Sequence, residues 1–252
     1  MASDKDPSEH SLDDFLGGKL KVCQPIKGFR AGTDSLLLSA AVPAQPGQRG
    51  LELCAGVGVP SLALCARVPG LDLTLVEQNP EVASLTRRNV ALNRGKLSVL
   101  SLDVREGDAL DRRLFPPNHK FDFTLINPPF FDALASRGSP VLAKDQGRRS
   151  EATTLDWVQA LARWTRPKGW MVMILRAQQV VAALCALEPR AGQIELRPLL
   201  PKLGANAVNV IIRARLGVKT PPQILPALHI RDENRKISDL VARIQRYGTE
   251  FI

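Results

Sequence analysis

Histidine is scarce and scattered, with only His10, His119 and His229 in 252 residues, and the four cysteines (Cys23, Cys54, Cys65, Cys185) show no CxxC spacing. Neither set has the spacing of a metal centre, and none is expected. The cysteines sit mostly in apolar segments and read as reduced thiols of a cytoplasmic protein, not as a disulfide framework. No apolar run approaches 18 residues; the longest, such as residues 36–42 and 170–175, have the length of a buried strand or helix. A membrane span is therefore not expected. The N-terminus (MASDKDPSEHSLDD) lacks the basic, apolar character of a secretory or transit signal. Internal repeats and low-complexity segments are missing too.

What the chain does have is an excess of positive charge, +9 in all. The two signs balance through Phe130, and the whole excess lies after it. A generic basic protein would spread the charge, whereas an excess confined to one half points to a face for a polyanion, nucleic acid first. At 44% hydrophobic residues the chain can bury a substantial core.

From Gly50 onward, strand-like and helix-like segments alternate. Residues 51–55 form a short apolar run, followed by a turn with Gly56 and Gly58 and an apolar helix over 59–68, with Pro60 in its first turn. A strand over 71–77 leads to a helix over 80–93 capped by Asn79. Strands follow over 97–104 and 121–127, a helix over 155–166, a strand over 170–176, a helix over 177–187, and strands over 193–196 and 208–215. Such alternation predicts an α/β fold with a mainly parallel sheet and helices on both faces. Trp157, Leu161 and Trp164 have helical spacing and are expected to pack against the sheet. Residues 1–15 read as a disordered tail and 16–252 as one domain, divided into an extension (16–49), a core (50–216) and a basic C-terminal segment (217–252). In that segment Ile237, Leu240, Val241 and Ile244 mark an amphipathic helix whose polar side includes Lys236, Arg243 and Arg246. Residues 131–154 lack periodicity and contain Arg148 and Arg149. Connections of that length are usually functional.

Three motifs carry chemistry. The turn Glu52-Leu-Cys54-Ala-Gly56-Val-Gly58 lies at the end of a strand, where open parallel sheets bind ligands and glycine allows close backbone approach. It is not a dinucleotide fingerprint, because Ser61 stands at the third glycine position. An acid at Glu52 suits a ligand with a cationic end, such as the amino group of S-adenosylmethionine. Glu77, at the end of the second strand, can accept both ribose hydroxyls of a nucleoside, and Asp108 can accept an adenine amino group. Asn127-Pro128-Pro129-Phe130 ends the fourth strand. A purine exocyclic amine is a poor nucleophile because its lone pair is delocalised into the ring. The Asn127 side-chain oxygen and the Pro128 carbonyl can accept its two N–H bonds, aiming the lone pair at an electrophile. The prolines hold those acceptors rigid, and Phe130 can stack on a flipped base.

In that order, these motifs resemble a class I S-adenosylmethionine-dependent N-methyltransferase. Gly32-Thr33-Asp34-Ser35-Leu36-Leu37-Leu38 and the ending around residues 228–230 are similar to the bacterial family that methylates adenine N6 beside the anticodon of a valine tRNA. The resemblance implies a Rossmann-like sheet of seven strands with the last antiparallel, S-adenosylmethionine as cofactor, and Thr33 and Asp34 near its methionine end. It places Cys54, Glu52, Gly56, Gly58, Glu77, Asp108 and Asn127 around the cofactor, with Cys54 standing where the wider class often has glycine. Arg148, Arg149, Lys236 and Arg243 would hold an RNA backbone, a tRNA first. Guanine N2 of ribosomal RNA and a protein glutamine amide are rival acceptors within the same chemistry. A nicotinamide-dependent oxidoreductase and a silent RNA-binding module are the rivals outside it.

Overall fold

The computed structural model describes residues 10–28, 30–129 and 152–251. Its central sheet is built by βα units. β3 (Arg49–Leu53) leads through a glycine turn to α2 (Val59–Arg67), β4 (Leu71–Glu77) to α3 (Pro80–Asn93), and then β5 (Val99–Glu106) and β6 (Phe121–Ile126) follow. After α4 (Thr154–Trp164) come β7 (Thr165–Arg176), a 3-10 turn at 177–179, α5 (Val180–Leu187), β8 (Ala191–Lys202) and β9 (Asn209–Leu216). The spatial order β8-β9-β7-β6-β3-β4-β5 is that of a doubly wound, Rossmann-like sheet. β9 alone among these seven runs antiparallel, against both β7 and β8.

Two short strands, β10 (Gln223–Ile224) and β11 (Leu228–Arg231), add to the outer edge of β8 and bring the sheet to nine. Pro198, which has no N–H to donate, lies between the stretches of β8 that they pair with. β7 begins five residues earlier than the expected strand. Pro167-Lys168-Gly169 forms a bulge inside it, with Lys168 at φ +62, and does not end the preceding element.

The tail expected over residues 1–15 is corrected in part. His10–Phe15 is a strand, β1, paired antiparallel with β2 (Leu20–Pro25) through a tight turn at Leu16–Gly18. Its acids are matched: Asp14 pairs with Lys21 at 2.5 Å, and Asp13 with Arg30. α1 (Thr33–Ala41) follows β2, and α6 (Asp239–Tyr247) packs across α1 and the β1–β2 turn.

Each sheet face carries its own core. One holds Leu37, Leu38, Val59 and Leu62 from α1 and α2 with Val241 and Ile244 of α6. The other holds Trp157, Leu161 and Trp164 of α4 as expected, packed with Met171 and Met173 of β7. Side chains of that size bury enough apolar area to contribute roughly 1.5–3 kcal/mol each. The local signals agree with the packing. Asn79 caps α3, accepting from the Glu81 and Val82 N–H groups, and Thr153 with Asp156 closes a capping box on α4. No helix among the described residues is long and apolar enough to cross a membrane.

Candidate active site

In this strand order the chain reverses direction between β3 and β6, so a crevice opens at the carboxyl ends of those strands. Register pairs Leu53 with both Val76 and Ile126. One step further along, Cys54, Glu77 and Asn127 therefore stand in a row across three adjacent strands. Three segments far apart in sequence are brought together by parallel pairing alone.

The turn after β3 is wound left-handed at Cys54 (φ +55), Gly56 (φ +54) and Gly58 (φ +85). At Gly58 a side chain has no room, since a Cβ would lie 2.9 Å from Cγ2 of Thr86 and 3.1 Å from Cδ2 of Leu75. α3 holds the turn from outside. Thr86 donates its hydroxyl to the Gly56 carbonyl at 2.5 Å, and Asn89 donates to the Val57 carbonyl at 3.0 Å. Glu77 holds it from β4, one carboxylate oxygen accepting the Gly56 N–H at 3.0 Å and the other the Asn79 N–H at 2.8 Å. A carboxylate has about four lone-pair sites, so these bonds leave acceptor capacity for a ribose.

Glu52 departs from the expectation. Its side chain is 2% exposed and accepts both the backbone N–H (3.1 Å) and the hydroxyl of Ser61 in the first turn of α2. Burial pushes its carboxyl up to about 8, partly offset by the Ser61 bonds. Both bonds go to the same carboxylate oxygen, so Glu52 ties the strand to α2, and its raised titration favours the neutral form over the open anion expected for a cationic ligand. Asp108 is exposed and turns one oxygen to the Leu110 N–H at 2.9 Å.

At the end of β6 the Asn127 side-chain oxygen is buried and has no hydrogen-bond partner among the described residues. An unsatisfied buried acceptor costs roughly 1–3 kcal/mol. A group held at that cost in a crevice is one a bound donor can satisfy. Pro128 is buried beside it and Pro129 exposed. Phe130, Arg148 and Arg149 lie outside the described residues.

The first turn of α1 reaches the neighbouring stretch of this edge. Asp34 accepts from Asn209 of β9 at 2.9 Å, and Asn209 accepts from Arg176 of β7 at 3.2 Å. Burial pushes the Asp34 carboxyl up, while Arg176 and the Asn209 bond hold it down. Thr33 accepts from Gln245 of α6 at 2.9 Å. Lys236 and Arg243 are exposed, on the approach to α6 and on its outer side.

Sequence reasoning did not identify Asn209, Arg176 or Asn89. The available signal was a polar residue inside or capping an apolar run: Asn209 opens the apolar 209–214 stretch, and Asn89 interrupts the buried side of a helix.

Residues 28–142 match the family model of the methyltransferase small domain. The tRNA1(Val) (adenine(37)-N6)-methyltransferase of Musicola paradisiaca is 25% identical over 228 residues, 90% of each chain. The enzyme of that name from Porphyromonas gingivalis ATCC 33277 is 30% identical over 169 residues, 64% of each chain. A third, from Flavobacteriaceae bacterium strain 3519-10, is 29% identical over 118 residues, and the match spans about half of that relative's length (48%). Among solved structures, a predicted O-methyltransferase from Agrobacterium tumefaciens has a TM-score of 0.70 at 21% identity, covering 86% of this chain and 97% of that one. A type I restriction-modification methyltransferase subunit from Streptococcus thermophilus has a TM-score of 0.60 at 17% identity, covering 86% and 52%. At such identities the structures establish the fold.

Proposed function

We propose that the chain is a methyltransferase that methylates adenine N6 of a tRNA with S-adenosylmethionine as donor, in keeping with the match of residues 28–142 to the methyltransferase small domain. The observation that carries this reading is the buried Asn127 oxygen at the end of β6, without a hydrogen-bond partner among the described residues and in one row with Glu77 and the glycine turn. An acceptor so placed suits an amine that must be held by its N–H bonds. When bound, S-adenosylmethionine supplies a methyl group made electrophilic by the sulfonium.

The chain's own groups do the positioning. Asn127 and the Pro128 carbonyl accept the two N–H bonds of the amine and turn its lone pair toward the methyl carbon. With the lone pair so directed, the bound donor would supply the methyl group to that nitrogen with its sulfur keeping the bonding pair, and the surplus proton of the amine would pass to solvent. Phe130, the next residue in sequence after Pro129, is assigned to stack on the base. On the donor side, the left-handed turn at Cys54, Gly56 and Gly58 lets backbone approach the ligand, and Glu77 takes the ribose hydroxyls. Asp108 takes the adenine amino group, and Thr33 and Asp34 lie at the methionine end. The buried Glu52 shapes the turn through Ser61, and Asp34, whose Oδ2 alone is bonded, is the carboxylate for the ammonium.

The adenine-N6 and tRNA choices are supported by the names of the relatives and by the charge excess confined to the second half. Lys236 and Arg243, with Arg148 and Arg149, bind phosphates of the RNA backbone. An RNA substrate of this kind puts the enzyme in the cytoplasm. Nucleoside mass spectrometry of tRNA from cells with and without the gene tests the reading. Loss of N6-methyladenosine is expected; loss of N2-methylguanosine instead, or no change, overturns it.

A further inference from the structure

We propose that Asn209, braced by Arg176, is a positioning residue that fixes the Asp34 carboxylate to receive the ammonium group of the methyl donor. The inference rests on the reading of Asp34 as the residue at the donor's methionine end.

Three observations converge on it. First, Asn209 is 7% exposed, and its side-chain amide is used from both ends. Its oxygen accepts from the Arg176 guanidinium at 3.2 Å, and its nitrogen donates to Asp34 Oδ2 at 2.9 Å. A guanidinium can only donate and a carboxylate only accept, so the amide has a single orientation here; the flipped one would set donor against donor and acceptor against acceptor. Second, the arrangement is built into the sheet. Arg176 and Asn209 are register partners across the antiparallel β7–β9 pair, where opposed residues project from the same face. α1 packs on β7 and β9, and this brings Asp34 onto their side chains from 175 positions away. Third, Asn209 engages one Asp34 oxygen only. No hydrogen bond reaches Oδ1 among the described residues, so that acceptor remains for a ligand.

The adjacent residue is anchored independently, Thr33 being held by Gln245 from α6. The first turn of α1 is thus fixed at two successive side chains by two different elements. A structural role alone would be met by the Thr33 bond and by the buried Leu36, Leu37 and Leu38 of the same helix. The relay through Asn209 adds direction to a carboxylate, which matters to a ligand with a directed N–H.

Calorimetric titration of the full chain with S-adenosylhomocysteine and with its desamino analogue tests the proposal. Asn209→Ala is expected to weaken S-adenosylhomocysteine about tenfold and the desamino analogue by less than twofold. In the Asp34→Asn background Asn209→Ala should cost nothing further. With bulk tRNA as acceptor, KM for S-adenosylmethionine should rise while kcat changes little. Equal weakening of both ligands, or none of either, overturns the proposal. Should Asn209→Ala fold poorly by its melting curve, Arg176→Gln serves in its place. It keeps a side-chain donor but removes the charge, and a several-fold loss confined to the amine-bearing ligand is expected; an unselective loss or no loss overturns the proposal. If the unaltered chain binds neither ligand, the methyl-donor reading itself has failed, an outcome distinct from any variant result.

Discussion

Ser61 bonds to Glu52 twice, through its backbone N–H at 3.1 Å and through its hydroxyl, both to the same carboxylate oxygen and all of it buried. The pair ties the end of β3 to the first turn of α2 across the glycine turn. It also explains why an acid tolerates that position. A protonated carboxyl satisfies Ser61 without carrying an unpaired charge into the core.

A pH dependence of stability follows, with a definite sign. Glu52 titrates near its ordinary value of 4.5 when unfolded and at about 8 when folded. Between those values the folded state holds a proton that the unfolded state has released, so stability falls as pH rises from 4.5 through 8. Glu52→Gln keeps an acceptor for Ser61 and removes the titration. In urea denaturation the variant should match the parent near pH 5 and exceed it at pH 8.5 by on the order of a few kcal/mol. Parallel curves for the two proteins would show that Glu52 carries no proton.

The left-handed turn makes opposite predictions at two of its positions. Gly58→Ala forces a side chain into φ +85 and into Thr86 Cγ2 at 2.9 Å, so the melting temperature should fall. The conformational part alone costs roughly 1–2 kcal/mol. Adding Thr86→Ser removes the clashing methyl and should recover part of the loss. Cys54→Gly works the other way, relieving a side chain at φ +55. A gain below about 1 kcal/mol is expected there, because glycine also loosens the unfolded chain.

The N-terminal hairpin is held by amides. Asn89 accepts the Cys23 N–H at 2.7 Å and donates to the Cys23 carbonyl at 3.0 Å. Asn93 does the same for Lys21 at 3.0 and 2.7 Å. Two side chains one helical turn apart thus satisfy alternate residues on the open edge of β2. Asn89→Ala strands buried partners and should cost about 1–3 kcal/mol. Amide exchange should accelerate at residues 20–24 more than in β3 or β4. Uniform acceleration would mean that the hairpin and the core open together.

The contrast between these amides and the glycine turn shows what one-dimensional reading could reach. Gly56, Glu77 and Asn127 lie at or just beyond strand ends, which are marked locally by glycine, proline and a break in apolar pattern. Parallel pairing then had only one way to assemble them. Asn89, Asn93 and Asn209 take their meaning from partners 66, 72 and 175 positions distant, which no local pattern encodes. The Ser61 bonds of Glu52 were hidden for a related reason. The sequence places an acid at a strand end, but whether it faces crevice or helix depends on how α2 packs. β1 was missed because its two aspartates look like a solvated tail until Arg30 and Lys21 are brought to them.

The RNA reading makes a quantitative prediction at α6. Val241 and Ile244 are fully buried and anchor the helix, while Arg243 between them and Lys236 before it are exposed. Neither cation contributes to the core, so Lys236→Ala and Arg243→Ala should leave the melting temperature within a degree or two. Each phosphate that is no longer neutralised takes about 0.7–0.9 off the slope of log affinity against log salt. Filter binding of tRNA between 50 and 200 mM salt should therefore show a slope shallower by about one for each variant, and by about two for both together. A double variant with the parent's slope would take this face of α6 out of the interface and leave the charge of the second half to act elsewhere.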